Sequence, residues 1–158
     1  MRRASTLLAL AALTAGAQAG DAVQNWFDDP FFQISNAVPD CPLPAGPFTD
    51  EADRHVQAHR RAEKGTTCWL AKECDRPNAY AYDQYIATAL RAALNGRFAD
   101  TTLWVTVQGR VVYIEGCATR DSVVDEVEAA VRAQPQVQRA IAIIRTDAAA
   151  RPPYRVRP

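Results

Sequence analysis

From residue 80 onward, apolar and polar positions follow one another with the periods of regular structure. Ile86, Ala89, Leu90, Ala93 and Leu94 recur at helical spacing, and Asn95-Gly96 supplies a C-terminal stop. Leu103, Val105 and Val107 then alternate with Trp104 and Thr106, which is the period of a strand. Gln108-Gly109-Arg110 reads as a tight turn. After it, Val112 and Ile114 alternate with Val111, Tyr113 and Glu115 as far as Gly116, so the two strands predict a β-hairpin. Thr119 or Asp121 can cap the next helix, whose apolar stripe is Val123, Val124, Val127, Ala130 and Val131 and which Pro135 ends. Residues 137–146 are β-rich and predict a third strand. A hairpin followed by one helix and one strand implies a β-α-β crossover. The expected fold is α+β, with two helices on one face of a small three-stranded sheet.

Upstream the pattern is weaker. Residues 20–48 have no sustained period: Trp26, Phe27, Phe31 and Phe32 flank Asp28-Asp29-Pro30, and prolines at 39, 42, 44 and 47 break any helix or central strand. An extended arm is expected there. Residues 49–64 predict a helix, with Thr49 as its cap, Asp50, Glu51 and Asp53 near its start, and Arg60, Arg61 and Lys64 near its end. Its apolar stripe is thin, little more than Ala52, Val56 and Ala62. Residues 65–78 read as a loop that carries Cys68, Trp69, Leu70 and Cys74. The last stretch, 148–158, is rich in Ala, Arg and Pro and is expected to be a flexible tail.

The 158 residues have room for one domain and an extension. Met1-Arg2-Arg3 precedes a run of Leu and Ala over residues 7–13, then Ala17-Gln18-Ala19 and Gly20. A charged start, a short apolar core and a small-x-small site predict a secretory signal peptide over residues 1–19. The apolar run is well short of the roughly 20 residues that a bilayer-spanning helix requires. Export to the periplasm, or secretion, is therefore expected, with no transmembrane segment after cleavage. Arg2 and Arg3 are among 18 basic residues, so their loss leaves the 18 acidic residues in excess by two. That balance offers no basic stripe for nucleic acid. In an exported chain, Cys41, Cys68, Cys74 and Cys117 predict two disulfides. Three pairings are open on sequence alone, and we lean to Cys68–Cys74 with Cys41–Cys117. Residues 20–79 are then a disulfide-bonded extension, and residues 80–147 the main domain.

The order helix, strand, strand, helix, strand over residues 82–147 resembles the BON domain of bacterial periplasmic and outer-membrane-associated proteins. The likeness is carried by Val111-Val112-Tyr113-Ile114-Glu115-Gly116-Cys117-Ala118 and by Val137-Gln138-Arg139-Ala140-Ile141-Ala142-Ile143-Ile144. Ile114 and Gly116 match the family's Val-x-Leu-x-Gly, and Val137 matches the Val of its Gly-Val. The family's Asn-Gly turn is Gly109-Arg110 here, shifted by one, Gln136 replaces the Gly before Val137, and Cys117 stands where a small polar residue is usual. Many relatives carry two such domains, and one is found here. The resemblance implies a BON-type αββαβ sandwich and a binding or scaffolding role in the cell envelope. Docking on phospholipid or on an envelope protein is one form of that role. A structural part in a cell-wall or secretion assembly is another.

Strand alternation sends Leu103, Val105, Val107, Val112 and Ile114 toward the helices. It leaves Trp104, Thr106, Val111, Tyr113, Ile141 and Ile143 on the other face, as a candidate binding face. The free face of an antiparallel hairpin is normally polar; this one is not, so it requires a cover. The protein's own extension is one cover, tied down by Cys41–Cys117 and packing Phe31, Phe32 or Trp69 on the sheet. An anionic phospholipid surface or an envelope protein is the other. Other chemistry is sparse. His55 and His59 have a spacing that can hold a metal, with Cys68 and Cys74 to complete a set. Val56-Gln57, however, stands where the zinc-protease pattern needs Glu. Beyond residue 19 the serines are Ser35 and Ser122, the latter placed to cap a helix, and no Cys-x-x-Cys or phosphate loop occurs. Asp28-Asp29 and Asp50-Glu51 read as exposed acidic pairs. The expectation is a non-enzymatic, exported adaptor without a cofactor, with a metal-binding or hydrolytic protein as the last alternative.

Overall fold

The computed structural model of the protein describes residues 23–158; the signal peptide expected over residues 1–19 lies outside them. In chain order the elements are β1 (Phe31–Asn36), α1 (Glu51–Gly65), the single-turn α2 (Thr67–Leu70), a 3-10 turn (Ala79–Tyr82), α3 (Asp83–Leu94), β2 (Thr102–Gln108), β3 (Val111–Cys117), α4 (Val123–Arg132) and β4 (Arg139–Arg145). The class is α+β. The sheet, however, has four strands in the order β1-β2-β3-β4, not the three expected. β1 and β3 each run antiparallel to β2, and β4 joins β3 in parallel after crossing through α4.

The fourth strand comes from the segment read as an extended arm. Phe32 lies opposite Val105 and is buried in the core, whereas Phe31 lies opposite Thr106 on the other face. A register shift between Gln33 and Ser35 breaks the alternation. That shift, and the Pro30 that precedes a run of only 6 residues, hid the strand from a reading by period.

Below the sheet, the helices and strands meet as the periodicity predicts. Ile86, Leu90 and Leu94 of α3 and Val123, Val127 and Val131 of α4 are fully buried against Leu103, Val105, Val107, Val112 and Ile114. Each such side chain contributes about 1.5–3 kcal/mol of hydrophobic stabilisation before entropy is counted. Gln108 pairs with Val111, so Gly109 and Arg110 form a two-residue turn. Their φ values of 60° and 67° are those of the primed turn that suits twisted strands. The carboxylate of Asp83, at the start of α3, accepts the amides of both turn residues, at 2.6 Å from Gly109 and 2.9 Å from Arg110. Helix and hairpin are thereby pinned together. Gly116 has φ 148°, and a Cβ there would overlap the Thr102 carbonyl of the neighbouring strand. Glycine inside this strand reflects a close approach of backbones.

α1 begins two residues later than expected. Asp50 caps it, accepting the Asp53 amide at 2.8 Å. Thr49 is occupied elsewhere: its backbone bridges Gln24 in both directions, and its hydroxyl accepts from Gln57 at 3.1 Å. The helix buries only Gly65, in keeping with its thin stripe. A polar clamp holds it instead. Arg61 Nη1 donates at 2.8 Å to both oxygens of Asp29, and its guanidinium lies 4.3 Å from the Phe27 ring centre and 3.7 Å from that of Tyr80. Asp29 also accepts from Gln108 Nε2 at 2.7 Å. The Asp29 side chain is 2% exposed, so the reading of Asp28-Asp29 as an exposed pair fails for Asp29. Its neutralising partner is 32 residues away and invisible to local pattern.

The expected flexible tail, 148–158, is docked. The Ala45 amide donates to the Arg155 carbonyl at 2.7 Å, and the Arg157 amide donates to Leu43 at 2.9 Å. Tyr154 is buried, and the Arg157 guanidinium lies 3.8 Å from the Phe48 ring centre. Composition alone pointed to disorder; backbone pairing with residues 43–45 overrides it. Together, residues 41–48 and 153–157 make a strap. At the β4 edge of the sheet, Glu128 of α4 accepts the Ala142 amide of β4 at 2.9 Å.

Candidate functional site

Register puts the six residues of the expected binding face together. Thr106 lies opposite Tyr113, Tyr113 beside Ile141, and Glu115 beside Ile143, with Trp104 and Val111 on the same side of the sheet. They are not equally available. Trp104, Thr106 and Val111 are buried, whereas Tyr113, Ile141 and Ile143 are half-buried.

The strap stands over Thr106, Tyr113 and Ile143, with α1 and Tyr80 beside Gln108 and Tyr113, and both cysteine pairs are bonded. Cys41–Cys117 has a Cα–Cα distance of 5.8 Å and spans 76 residues; Cys68–Cys74 has 5.5 Å and spans 6. The first bond fixes the strap where β3 leaves the sheet. Tyr154 closes over it: its hydroxyl donates to the Pro42 carbonyl at 2.8 Å and lies 3.6 and 3.7 Å from the two sulfurs. Of the aromatics proposed as cover, Phe31 sits on this face, against Gly46 and Phe48. Phe32 faces the core, and Trp69 is 47% exposed.

The strap leaves a cleft of about 320 Å³. Its floor is Thr106, Tyr113, Glu115 and Ile143, and its walls are Gly46, Pro153 and Tyr154. Burial pushes the Glu115 carboxyl above its ordinary value. Among the described residues, no Lys, Arg or His lies within ion-pair distance of it. The Thr106 hydroxyl is buried and has no hydrogen-bond partner. Arg155 stands at the rim, 3.7 Å from Asp53. Glu115 is not among the six residues expected on this face, although it alternates with Val111 and Tyr113: a charge in a strand reads as solvent-facing, and the strap encloses it here.

A second feature is the turn around α2. It is closed by Cys68–Cys74 and by the Glu73 amide, which donates to Cys68 at 2.8 Å. The Tyr82 hydroxyl binds the next residues: it donates to Asp75 and accepts the Asp75 and Arg76 amides at 3.0 and 2.9 Å. That bond holds the Asp75 carboxyl below its ordinary value. On this closed turn Leu70 is 75% exposed, beside Trp69 and Lys72.

The remaining candidates fall apart spatially or chemically. Cys68 and Cys74 are bonded to each other, so they cannot join His55 and His59 as metal-binding thiolates. His59 instead pairs with Glu63 at 3.2 Å, and no group of three or more metal-ligating side chains occurs among the described residues. Ser122 precedes α4, but its hydroxyl accepts from Arg120 at 2.7 Å and caps no helix amide. No helix among the described residues is long and apolar enough to cross a membrane. No protein-family model, curated protein or solved structure matches the chain.

Proposed function

We propose that the chain is an exported, non-enzymatic adaptor that docks on a phospholipid surface through the turn at Trp69 and Leu70. In this reading α3 to β4 form a BON-type unit, and β1 and the strap complete it. The order of elements and the glycine demanded at position 116 support that assignment. Two disulfides fit an oxidising compartment such as the periplasm.

The observation that carries the docking role is the exposed Trp69-Leu70 pair on a turn closed by a disulfide. The sheet face expected to meet a partner is largely covered from within, so the exposed apolar surface lies elsewhere. A preordered turn loses little freedom when its side chains are buried. Trp is suited to the membrane–water interface, and Lys72 beside it gains about 1 kcal/mol near an anionic surface.

Co-sedimentation with anionic phospholipid vesicles at low salt tests the proposal. The wild type should pellet with vesicles, and a Trp69→Ser/Leu70→Ser variant should stay in the supernatant. Failure of the wild type to bind removes the lipid reading and leaves an envelope protein as the occupant of the turn. Equal binding by the variant would move the docking element elsewhere.

A further inference from the structure

The cleft under the strap has a chemistry that the docking role does not use. Glu115 is half-buried, and among the described residues nothing positively charged lies against it. A buried carboxylate without a counter-charge is costly, and a cation placed beside it relieves that cost. Thr106 is 3% exposed, and its hydroxyl is closed to solvent. It sits on the floor of the same cleft.

The neighbouring groups narrow the ligand. Gln108 also lines the cleft, and its side-chain amide donates to Asp29, so its oxygen is the end left to accept. The Tyr154 hydroxyl spends its proton on Pro42, so this residue offers the cleft its ring. Tyr113 adds a second ring, and aromatic faces attract cations. Ile143 and Pro153 supply an apolar wall. An anion entering here would meet the Glu115 carboxylate. The volume of about 320 Å³ is at the small end of ligand cavities, which run from roughly 300 to 1,000 Å³.

We propose that the cleft between Glu115, Tyr113 and the strap binds a small organic cation, an alkylammonium group carrying a short apolar body. The ammonium donates to Glu115 beside the Tyr113 ring, and the apolar body lies on Ile143 and Pro153. Arg155, at the rim and tethered to Asp53, is the residue that an incoming cation must pass. The proposal stands apart from membrane docking at Trp69-Leu70, which lies on a different part of the molecule.

The probe is n-pentylammonium, titrated into the full mature chain and followed by amide chemical shifts. n-Pentanol and pentanoate serve as controls of the same length. The expected result is a saturable response at Tyr113, Glu115 and Ile143 with the ammonium, and none with pentanoate. Glu115→Gln, which keeps the shape of the side chain, should weaken binding by about tenfold or more. If that variant fails to fold, Tyr113→Leu replaces it, since it keeps an apolar floor and removes the ring that faces the cation. It should fold and bind about threefold or more weakly. No saturable response up to about 10 mM would overturn the proposal. So would equal binding of pentanol, or undiminished binding by whichever variant folds.

Discussion

The two disulfides should differ in what they contribute, and the difference follows from the chain lengths they close. Cys41–Cys117 spans 76 residues, and Cys68–Cys74 spans 6. In the chain-entropy description, the restriction of the unfolded chain grows with the logarithm of loop length. That gives about 4.5 kcal/mol for the long loop and about 2 kcal/mol for the short one. The structure adds to the asymmetry. The long-range bond sits under Tyr154 and holds the strap, whereas the short one stabilises a turn already closed by its own backbone bond from Glu73 to Cys68. The perturbation is Cys41→Ala/Cys117→Ala against Cys68→Ala/Cys74→Ala, each measured by urea unfolding under oxidising conditions. The first should lose about 4 kcal/mol, a fall in Tm of about 10–15 °C for a chain of this size. The second should lose about half as much. The first should also bind a hydrophobic dye, because the strap lifts from Tyr113 and Ile143, and the second should not. Equal losses, or a larger loss from the Cys68–Cys74 pair, would refute the reasoning.

Asp83 should make stability depend on pH in a direction opposite to that of a salt-bridged acid. Burial pushes its carboxyl up from 3.8 to about 6, against the pull of the two turn amides. The folded state therefore holds the proton more tightly than the unfolded chain. Its contribution is complete below about pH 4 and is lost as pH rises through about 6, up to about 3 kcal/mol in all. The wild type should gain on Asp83→Asn by that order between pH 7 and pH 4 in parallel denaturation curves, and a flat difference would count against this environment. The Arg61–Asp29 pair offers a third test. Truncation of Arg61 to Ala leaves a carboxylate 2% exposed beside Gln108 alone and should cost about 3–5 kcal/mol. Arg61→Ala/Asp29→Asn should recover a substantial part of that loss, which a double-mutant cycle in urea would measure.

The legible part of the fold was the part whose interactions are local or periodic. Val105, Val107, Val112 and Ile114 alternate cleanly around Gly109-Arg110, so hairpin and register were readable together. Val127 and Val131 mark their helix in the same way. β1 was missed because its short, bulged run has meaning only when paired with β2, roughly seventy residues on. The docked terminus was missed because Ala45 and Leu43 bind it through backbone atoms, which sequence composition does not report. The same gap applies to the cleft. Thr106, Tyr113 and Ile143 were placed on the correct face by alternation, but Glu115 matters only because a distant segment encloses it. The exposed Trp69 and Leu70 were seen as a loop between cysteines; without coordinates, nothing distinguished a presented pair from one folded inward.

The contact from Glu128 to the Ala142 amide bears on how the molecule behaves among its own copies. β4 is a terminal strand, and terminal strands carry free backbone groups that can template the addition of another chain. Here one of those donors is already taken by a side chain from the adjacent helix, and arginines stand at both ends of the strand. A second copy seeking to extend the sheet would have to displace a carboxylate and bring like charges together. A single glutamate and two guanidinium groups thus weigh against runaway strand addition at this border, without a further strand or a proline to guard it.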